Sequence, residues 1–297
     1  MNIALLFNPT SGTGRRAAAI EALTAQLRQH GHRIMPMRVG DPAMDELAAR
    51  QLLAASELLV IAGGDGTVNR TLPLAMATGI PVYHVPLGTE NLFARQLGMR
   101  REVPAILRAI ESNRVEWIDT AEANGRPFVI MCSAGPDADV VHRLHAARRG
   151  GITHLSYIWP IVKESMTGGV TPLSVEVDGR ILCEQRRGLV VIANAEQYAC
   201  RANPCAGASL TDGELDIVFL PAPYKFVAGL WLGASLLRMA AKMPGHVSAR
   251  GKYVVVVADE PGFHVQMDGE AAAGSKGQRT DELEVRVRPR SLRVLMP

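Results

Sequence analysis

The chain has 297 residues, which is enough for two domains that each bury a core. A hydrophobic content of 47% with 21% charged residues is typical of a globular protein. No uncharged apolar run reaches the roughly 20 residues that span a bilayer. A net charge of +3 without a basic stripe argues against nucleic acid as a partner.

The cysteines form neither a CxxC pair nor a zinc-binding spacing, and the first strand begins almost at Met1. We therefore expect reduced thiols and a cytoplasmic protein without a signal peptide, with a peripheral place at a membrane left open. The four are Cys132, Cys183, Cys200 and Cys205.

The first predicted strand, Ile3–Phe7, runs into the polar loop Asn8–Arg16. A helix follows, because Ile20, Leu23 and Leu27 recur on one face. A strand, a polar loop and a helix in this order are typical of an α/β domain with a parallel sheet.

The run Val60–Asn69 is the most informative part of the sequence. It leads from a short apolar strand into two glycines, Asp65, Gly66 and Thr67, where a helix is predicted to begin. Glycines let a backbone approach a ligand closely, and the amide groups at a helix start suit a phosphate. A carboxylate inside such a loop favours a cation between the two, so Asp65 indicates magnesium–nucleotide chemistry.

A third loop of this kind, Pro86–Asn91, follows the predicted strand Pro81–Val85. Ligands of parallel sheets bind beyond the carboxyl ends of the strands. Because all three loops fall at such ends, we expect them to form one site.

A dinucleotide-dependent dehydrogenase is a rival interpretation. Gly12–Ala17 formally matches the GxGxxG/A fingerprint, and Asp41 follows a plausible second strand, Arg33–Val39, where a ribose-binding acid could lie. However, Asn8 and the proline after it lengthen the loop, and a dehydrogenase would not need the loop Gly63–Thr67.

The pattern changes after about residue 120 to alternating strands and turn signals, including the hairpin turn Asp178–Gly179. We predict an α/β domain over residues 1–120 and an antiparallel β-rich sandwich domain over 121–297, with a return of the last strand to the first domain left open. The other predicted strands are Gly188–Ala193, Leu215–Leu220, Tyr253–Val257, Phe263–Met267, Leu283–Val287 and Leu292–Met296.

Two helices are predicted in the second domain, Ile152–Glu164 and a stretch after Tyr224. The second contains the longest apolar run, Phe226–Leu237. We expect it to be a buried helix, and a surface that contacts a membrane is the alternative.

In combination, these motifs resemble the diacylglycerol kinase and sphingosine kinase catalytic family in its bacterial lipid-kinase branch. The resemblance implies an N-terminal domain like that of NAD kinase and phosphofructokinase. It covers nearly the whole chain and rests on Asn8–Gly12, Gly63–Asn69, Pro86–Ala94, Ala134–Ala138, Asn194, Leu210–Asp216 and Asp268–Glu270.

The resemblance implies a kinase that transfers the γ-phosphoryl group of ATP to the hydroxyl of a lipid such as diacylglycerol or a long-chain base. Glu270 would be the general base and Asp65 would support catalytic Mg²⁺, with ATP in a cleft between the domains. The nucleotide would contact Asn8, Gly40, Gly63, Gly64, Asp65, Gly66, Thr67, Val68, Asn69 and Thr89.

The same resemblance implies a second Mg²⁺ site, held by the carboxylate of Asp212 and the backbone carbonyls of Ser209 and Glu214. The alternative is an ordinary turn before a strand. The implied partners are ATP, a lipid alcohol and, transiently, a membrane surface, while a homodimer is left open.

The sequence departs from the family pattern at three places. Arg70 replaces the usual glutamate, Leu92 replaces the usual acid, and Tyr198–Arg201 lacks the usual glycines. Arg70 would favour an anionic ligand and Leu92 a more apolar acceptor. A phosphotransferase that resembles NAD kinase and acts on a soluble acceptor stays open as an alternative, as does a non-catalytic regulator that binds lipid or nucleotide.

Overall fold

A computed structural model describes the chain in seven stretches, residues 1–8, 14–39, 45–149, 169–198, 201–259, 262–272 and 279–297. The chain divides into two compact units, residues 1–119 with 290–297 (unit 1) and residues 120–289 (unit 2). The predicted helix Ile152–Glu164, Gly40 and Cys200 lie outside the described residues.

Unit 1 is an α/β unit with a parallel sheet in the order β2–β1–β3–β4, and Val294 near the end of β15 (Glu282–Leu295) pairs with Val82 of β4. Strands β1, β3 and β4 are buried on both faces, which explains their continuous apolar runs, whereas the edge strand β2 is partly exposed. Its elements are β1 (Asn2–Phe7), α1 (Gly14–Gln29), β2 (Arg33–Arg38), α2 (Glu46–Ala54), β3 (Leu58–Gly63), α3 (Asp65–Thr78), β4 (Val82–Pro86), α4 (Leu92–Leu97) and α5 (Val103–Ser112).

Unit 2 is an antiparallel β unit with two sheets that share one long strand. One sheet has the order β14–β13–β7–β9–β10–β11, and the other has the order β9–β8–β12–β15–β5–β6. Its elements are β5 (Val115–Ala123), which begins in unit 1, then β6 (Arg126–Phe128), β7 (Met131–Ala134), α6 (Pro136–Arg149), β8 (Pro172–Val177), β9 (Arg180–Ala193), β10 (Leu215–Pro221), α7 (Lys225–Leu236), a 3₁₀ helix (Ala240–Lys242), β11 (Val247–Gly251), β12 (Tyr253–Val257), β13 (Val265–Met267), β14 (Glu270–Ala271) and β15 (Glu282–Leu295).

Strand β9 changes partners near Gly188. Residues up to Arg187 pair with β8, whereas those from Gly188 onward pair with β10. A Cβ at Gly188 would lie 2.5 Å from the ring of Phe219, so glycine lets this ring pack directly against the bend. Side chains from both sheets, among them Val175, Ile192 and Val254, fill one buried core. The predicted fold class, a parallel α/β domain followed by a β sandwich-like domain, is confirmed.

Two sequence predictions need correction. Leu283–Val287 and Leu292–Met296 are parts of the single strand β15, which stays continuous because the carboxylate of Asp119 accepts a hydrogen bond from the Arg290 amide at a positive φ. Helix α7 is not buried all round, since Phe226 is 58% exposed.

Candidate active site

Three polar loops leave adjacent strand ends on one edge of the unit 1 sheet. Phe7 at the end of β1 is in register with Ala62 of β3, and Gly63 is in register with Pro86 of β4. Because all these strands run parallel, Asn8 and the loops after β3 and β4 emerge at the same edge. The predicted convergence of the three motifs is therefore seen for the parts that the structure describes.

The glycine–aspartate loop (residues 63–67) joins β3 directly to α3. Gly64 caps the helix, and the amide groups of Thr67 and Val68 both donate to its carbonyl oxygen, over 2.9 and 3.2 Å. The amides of Gly64, Asp65 and Gly66 precede these bonds at the positive end of the helix dipole. These three N–H groups are suited to donating hydrogen bonds to an anion such as a phosphate.

The Pro-Leu-Gly loop (residues 86–91) packs against the glycine–aspartate loop through two glycines. A Cβ at Gly88 would lie 2.6 Å from Gly64 Cα, and a Cβ at Gly64 would lie 3.1 Å from Gly88 Cα. The Leu87 amide donates to the Gly63 carbonyl over 2.8 Å. Side chains larger than hydrogen would separate the loops, so the two glycines are required for this approach.

Asn91 closes the Pro-Leu-Gly loop upon itself. Its Oδ1 accepts from the Gly88 amide at 2.8 Å, and its Nδ2 donates to the Gly88 carbonyl at 3.0 Å. The residue adopts a φ of +50°, which asparagine tolerates better than most residues. Asn91 thus fixes Gly88 in the position that meets Gly64.

The carboxylate of Asp65 faces the start of a second helix. Asp65 is half-buried in the first turn of α3, and its Oδ1 lies 3.3 Å from the amide nitrogen of Phe93, in the first turn of α4. This carboxylate therefore lies at the start of two helices, where backbone amides point outward. It can serve as an oxygen ligand of Mg²⁺ beside the phosphate-binding amides.

His84 supports the glycine–aspartate loop through a hydrogen bond to Gly63. It was not among the site residues predicted from the sequence. It is fully buried in β4, and its Nε2 donates to the Gly63 carbonyl over 2.9 Å. Burial lowers the pKa of His84 to about 4, so the ring is neutral near pH 7. Its Nδ1 has no hydrogen-bond partner among the described residues. A polar residue inside the otherwise apolar strand 82–85 was the available sequence signal.

The remaining predicted nucleotide residues of unit 1 differ in their exposure. The side chains of Thr67 and Val68 are buried, so neither presents a surface to a ligand. The amides of both residues donate to the Gly64 carbonyl. Asn69 is half-buried on α3, and Thr89 is exposed at the tip of the Pro-Leu-Gly loop. Asn8 is half-buried directly after β1.

The two substituted positions of unit 1 also differ from each other. Arg70 is exposed on α3, about one turn after the helix start, so its guanidinium group is accessible to an anionic ligand. Leu92 is only 3% exposed and belongs to the core of unit 1. The expectation that Leu92 selects an apolar acceptor therefore has no support from its position.

Glu270 of unit 2 follows a tight hairpin turn. Met267 and Glu270 are paired in β13 and β14, while Asp268 and Gly269 between them have φ values of +51° and +80°. Positive φ at both central residues is the pattern of a type I′ turn. Asp178 and Gly179 adopt the same conformation, so Asp-Gly makes a hairpin at both places. Glu270 is half-buried at the end of the first hairpin.

Asp268 anchors this hairpin to a neighbouring segment. Its carboxylate accepts hydrogen bonds from the amides of Val129, Ile130 and Met131 at 2.8–3.0 Å, and its own amide donates to the Met131 carbonyl. The residue is 5% exposed. A buried carboxylate with three amide donors holds the turn, and with it the backbone of Glu270, in one position.

A second polar chain reaches the turn from the interior of unit 2. The Gly269 amide donates to Gln266 Oε1 at 2.9 Å, and Gln266 Nε2 donates to Ser133 Oγ at 2.7 Å. The Ser133 hydroxyl donates to Asp137, which also accepts from the Tyr198 hydroxyl at 2.7 Å. Burial raises the pKa of Asp137, and the hydrogen bonds from these hydroxyls oppose that rise. This network gives Asp137, the one polar side chain of the Ala134–Ala138 motif, a structural role.

The loop Ser209–Glu214, where a second Mg²⁺ was implied, is already bound to an internal cation. Arg250 Nη2 pairs with Asp212 Oδ2 and lies 3.2 Å from Glu214 Oε2. The other carboxylate oxygen of Asp212 accepts from the Glu214 amide at 3.1 Å. Among the described residues there is no group of three metal-binding side chains. In this conformation the loop does not fit a magnesium ion, since Arg250 holds the one carboxylate that was to bind it.

The chain matches two known protein-family patterns in succession. The pattern of the diacylglycerol kinase catalytic domain matches residues 2–123, and that of the YegS C-terminal NAD kinase beta sandwich-like domain matches residues 130–296. Together the two matches span both units. Within the described residues, no helix is long and apolar enough to cross a membrane.

Individual relatives agree with these matches. The "Diacylglycerol kinase" of Mycobacterium tuberculosis is 28% identical over 307 residues, covering 99% of this chain and 95% of the relative. The "Probable lipid kinase YegS-like" of Pseudomonas aeruginosa is 30% identical over 288 residues, covering 94% and 89%. A crystal structure of a diacylglycerol kinase from Bacillus anthracis superposes with a TM-score of 0.73 at 18% identity, covering 100% and 97%, which supports the fold. The chain therefore belongs to the diacylglycerol kinase family, in its bacterial YegS-like branch of lipid kinases.

Proposed function

We propose that this protein transfers the γ-phosphoryl group of ATP to the hydroxyl of a lipid alcohol such as diacylglycerol or a long-chain base. The observation that carries the proposal is the pairing of the glycine–aspartate and Pro-Leu-Gly loops through Gly64 and Gly88 beside the carboxylate of Asp65. Family membership supports a kinase, and the loop geometry supports a phosphate-binding site in unit 1.

ATP and magnesium fit the residues of this site. The helix-start amides of Gly64, Asp65 and Gly66 would hold phosphate oxygens, and the close packing of Gly64 on Gly88 would keep these amides in place. Asp65 would hold Mg²⁺, and the ion would supply positive charge that offsets the charge of the phosphates. Asn8, Gly63, Asn69 and Thr89 would complete the nucleotide contacts, with Thr67 and Val68 shaping the helix start from inside. Bound ATP supplies the phosphoryl group.

Glu270 is proposed as the general base that accepts the proton of the lipid hydroxyl. Its place beside a turn held by Asp268 and Gln266 supports this role, because a base must be fixed within hydrogen-bond reach of the proton it removes. Removing a general base typically lowers turnover about 10²–10⁴-fold. A second magnesium ion at Ser209–Glu214 has no part in the proposal, since Arg250 pairs with Asp212 and Glu214 there.

The proposal further includes a cytoplasmic protein that meets its lipid substrate transiently at a membrane surface. The described residues contain no spanning helix, so such contact would involve a surface of the folded chain.

The test is transfer of ³²P from ATP to NAD and to a panel of lipid alcohols in mixed micelles with Mg²⁺, using the wild type and Glu270→Gln. We expect label in one lipid class with the wild type and a loss of at least about 10²-fold in the variant. Glu282→Gln, an exposed glutamate of unit 2, is the matched control and should keep wild-type turnover. Label in NAD, or in no acceptor while ATP still binds, would refute the lipid-kinase proposal in favour of a soluble acceptor or a regulator.

A further inference from the structure

Helix α7 (Lys225–Leu236) and the residues after it carry an apolar patch on the surface of unit 2. Phe226, Leu230 and Leu237 are spaced by four and seven residues, so they share one face of the helix. Their exposed fractions are 58%, 59% and 73%. Tyr224, 60% exposed, precedes the helix and stacks on Phe226, and Met239, 50% exposed, follows the helix in the sequence. We call these five residues the α7 patch.

The opposite face of α7 accounts for the packing of the helix on unit 2. Ala228, Trp231 and Ser235 are buried there, and Trp231 Nε1 donates to the Pro221 carbonyl over 2.7 Å. The buried ammonium group of Lys225 pairs with Asp139 of α6. The helix is therefore firmly attached through one face, and packing among the described residues of unit 2 does not explain the apolar side chains on the other.

An ordinary surface helix has polar residues on its outer face, whereas α7 is apolar on both faces. Exposed apolar side chains that are contiguous mark a binding surface, while scattered ones do not. The helix has 12 residues, about 18 Å at 1.5 Å per residue, so it is too short to span a bilayer. It is long enough to lie in the plane of a bilayer surface.

The charges around the α7 patch indicate what kind of partner it fits. From Ala222 to Gly245 the sequence has no aspartate or glutamate, but it has Lys225, Arg238 and Lys242. Arg238 and Lys242 are exposed beside the patch. Apolar side chains with flanking basic groups suit a lipid surface that carries negative headgroups. The aromatic rings of Tyr224 and Phe226, stacked at 5.9 Å, suit the headgroup region.

We propose that the α7 patch docks this protein on the surface of an anionic bilayer. The inference rests on the proposed function, because a lipid alcohol with long chains has to be taken from a bilayer. It goes further by naming the surface that makes the contact and the lipid charge that it prefers.

The test is flotation of the full-length protein with vesicles of phosphatidylglycerol and phosphatidylcholine at a 1:1 ratio, without ATP. We expect the Leu230→Glu, Leu237→Glu double variant to bind at least about 10²-fold more weakly than the wild type, since each leucine contributes about tenfold on burial. Arg238→Gln with Lys242→Gln should weaken binding about fivefold per charge and make it less sensitive to salt.

Leu47→Glu and Ile181→Glu are matched controls, because these side chains are 63% and 69% exposed outside the patch. Both should keep wild-type vesicle binding, and all variants should keep the wild-type unfolding transition. Equal binding by the patch variants and the controls would overturn the proposal, as would absence of wild-type binding at low salt. A wild-type dimer that becomes a monomer in the double variant, with neither form binding vesicles, would assign the patch to a second copy instead.

This readout separates the docking proposal from the proposed function. Vesicle binding without phosphate transfer to any lipid would refute the kinase proposal alone. If the double variant transfers phosphate to vesicle lipid as well as the wild type does, docking through the α7 patch is refuted, and the kinase proposal is not.

Discussion

Replacing Gly88 with alanine tests whether the glycine–aspartate loop and the Pro-Leu-Gly loop act together in binding ATP. The added Cβ would lie 2.6 Å from Gly64 Cα and 2.8 Å from Asn91 Oδ1. Carbon atoms in contact lie about 3.5–4.0 Å apart, so the two loops have to separate by about 1 Å. The obstacle at Gly64 is backbone, which cannot rotate away as a flexible side chain could.

This displacement should affect ATP binding more than folding. Overpacking of this kind costs about 1–3 kcal/mol of folding free energy. A shift of about 1 Å in groups that position a substrate can cost about 10²-fold in rate. We therefore expect Gly88→Ala to remain folded while its kcat/KM for ATP falls by about 10²-fold.

The assays are calorimetric titration with Mg-ATP, steady-state kinetics and thermal unfolding. Gly229→Ala is the matched control, because a Cβ at Gly229 meets no atom within 4 Å. That variant should bind ATP like the wild type and gain slightly in stability from the helix preference of alanine. A Gly88→Ala protein with wild-type ATP affinity and turnover would refute the reasoning that joins the two loops in one site.

Three further predictions concern groups that support the loops or the hairpin. The pKa of His84 lies at about 4 in the folded protein against 6.5 in the unfolded chain, so the unfolded state takes up the proton first. The contribution of His84 to the free energy of unfolding is full above about pH 6.5. It should fall by about 3 kcal/mol towards pH 4, since each unit of pKa difference is worth about 1.4 kcal/mol. Urea unfolding across this pH range should show that decrease in the wild type but not in His84→Gln. Asp268→Asn should lower the free energy of unfolding by about 3 kcal/mol, because three buried amides lose a charged acceptor. The matching change in the exposed hairpin, Asp178→Asn, should lower it by less. Equal losses in the two variants would contradict the anchoring role of Asp268. Arg250→Gln should raise the Mg²⁺ affinity of the loop Ser209–Glu214 at least about tenfold in titration calorimetry, because the carboxylates lose their internal cation, and an unchanged affinity would mean that Arg250 does not block the loop.

Local motifs were the part of the site that sequence could predict. Val60–Asn69 contains its own strand end, glycines and helix start, so its structure follows from neighbouring residues. The same holds for Asp268–Gly269, whose type I′ turn depends on two adjacent residues with positive φ. That the first strands run parallel also followed from their alternation with helices.

Contacts between distant residues could not be predicted in this way. Asp268 receives its amide donors from residues 129–131, and Arg250 reaches Asp212 across 38 positions. Neither pair leaves a periodic signal in the sequence. His84 is a similar case, since its bond to Gly63 depends on the register of β3 with β4.

The α7 patch shows a different limit of sequence reasoning. A run that is apolar on every face predicts a helix, but periodicity does not say which face the protein covers. The structure buries Ala228 and Trp231 and leaves Phe226 and Leu230 outside. This exposed face is the observation from which docking on a bilayer is proposed.

The central claim is that unit 1 binds ATP while Glu270 of unit 2 activates the lipid hydroxyl. The most direct measurement compares single-turnover phosphate transfer to diacylglycerol with Mg-ATP affinity for the wild type, Asp65→Asn and Glu270→Gln. We expect Asp65→Asn to weaken Mg-ATP binding, and Glu270→Gln to keep that affinity while transfer slows by at least about 10²-fold. Undiminished transfer by Glu270→Gln would contradict the account.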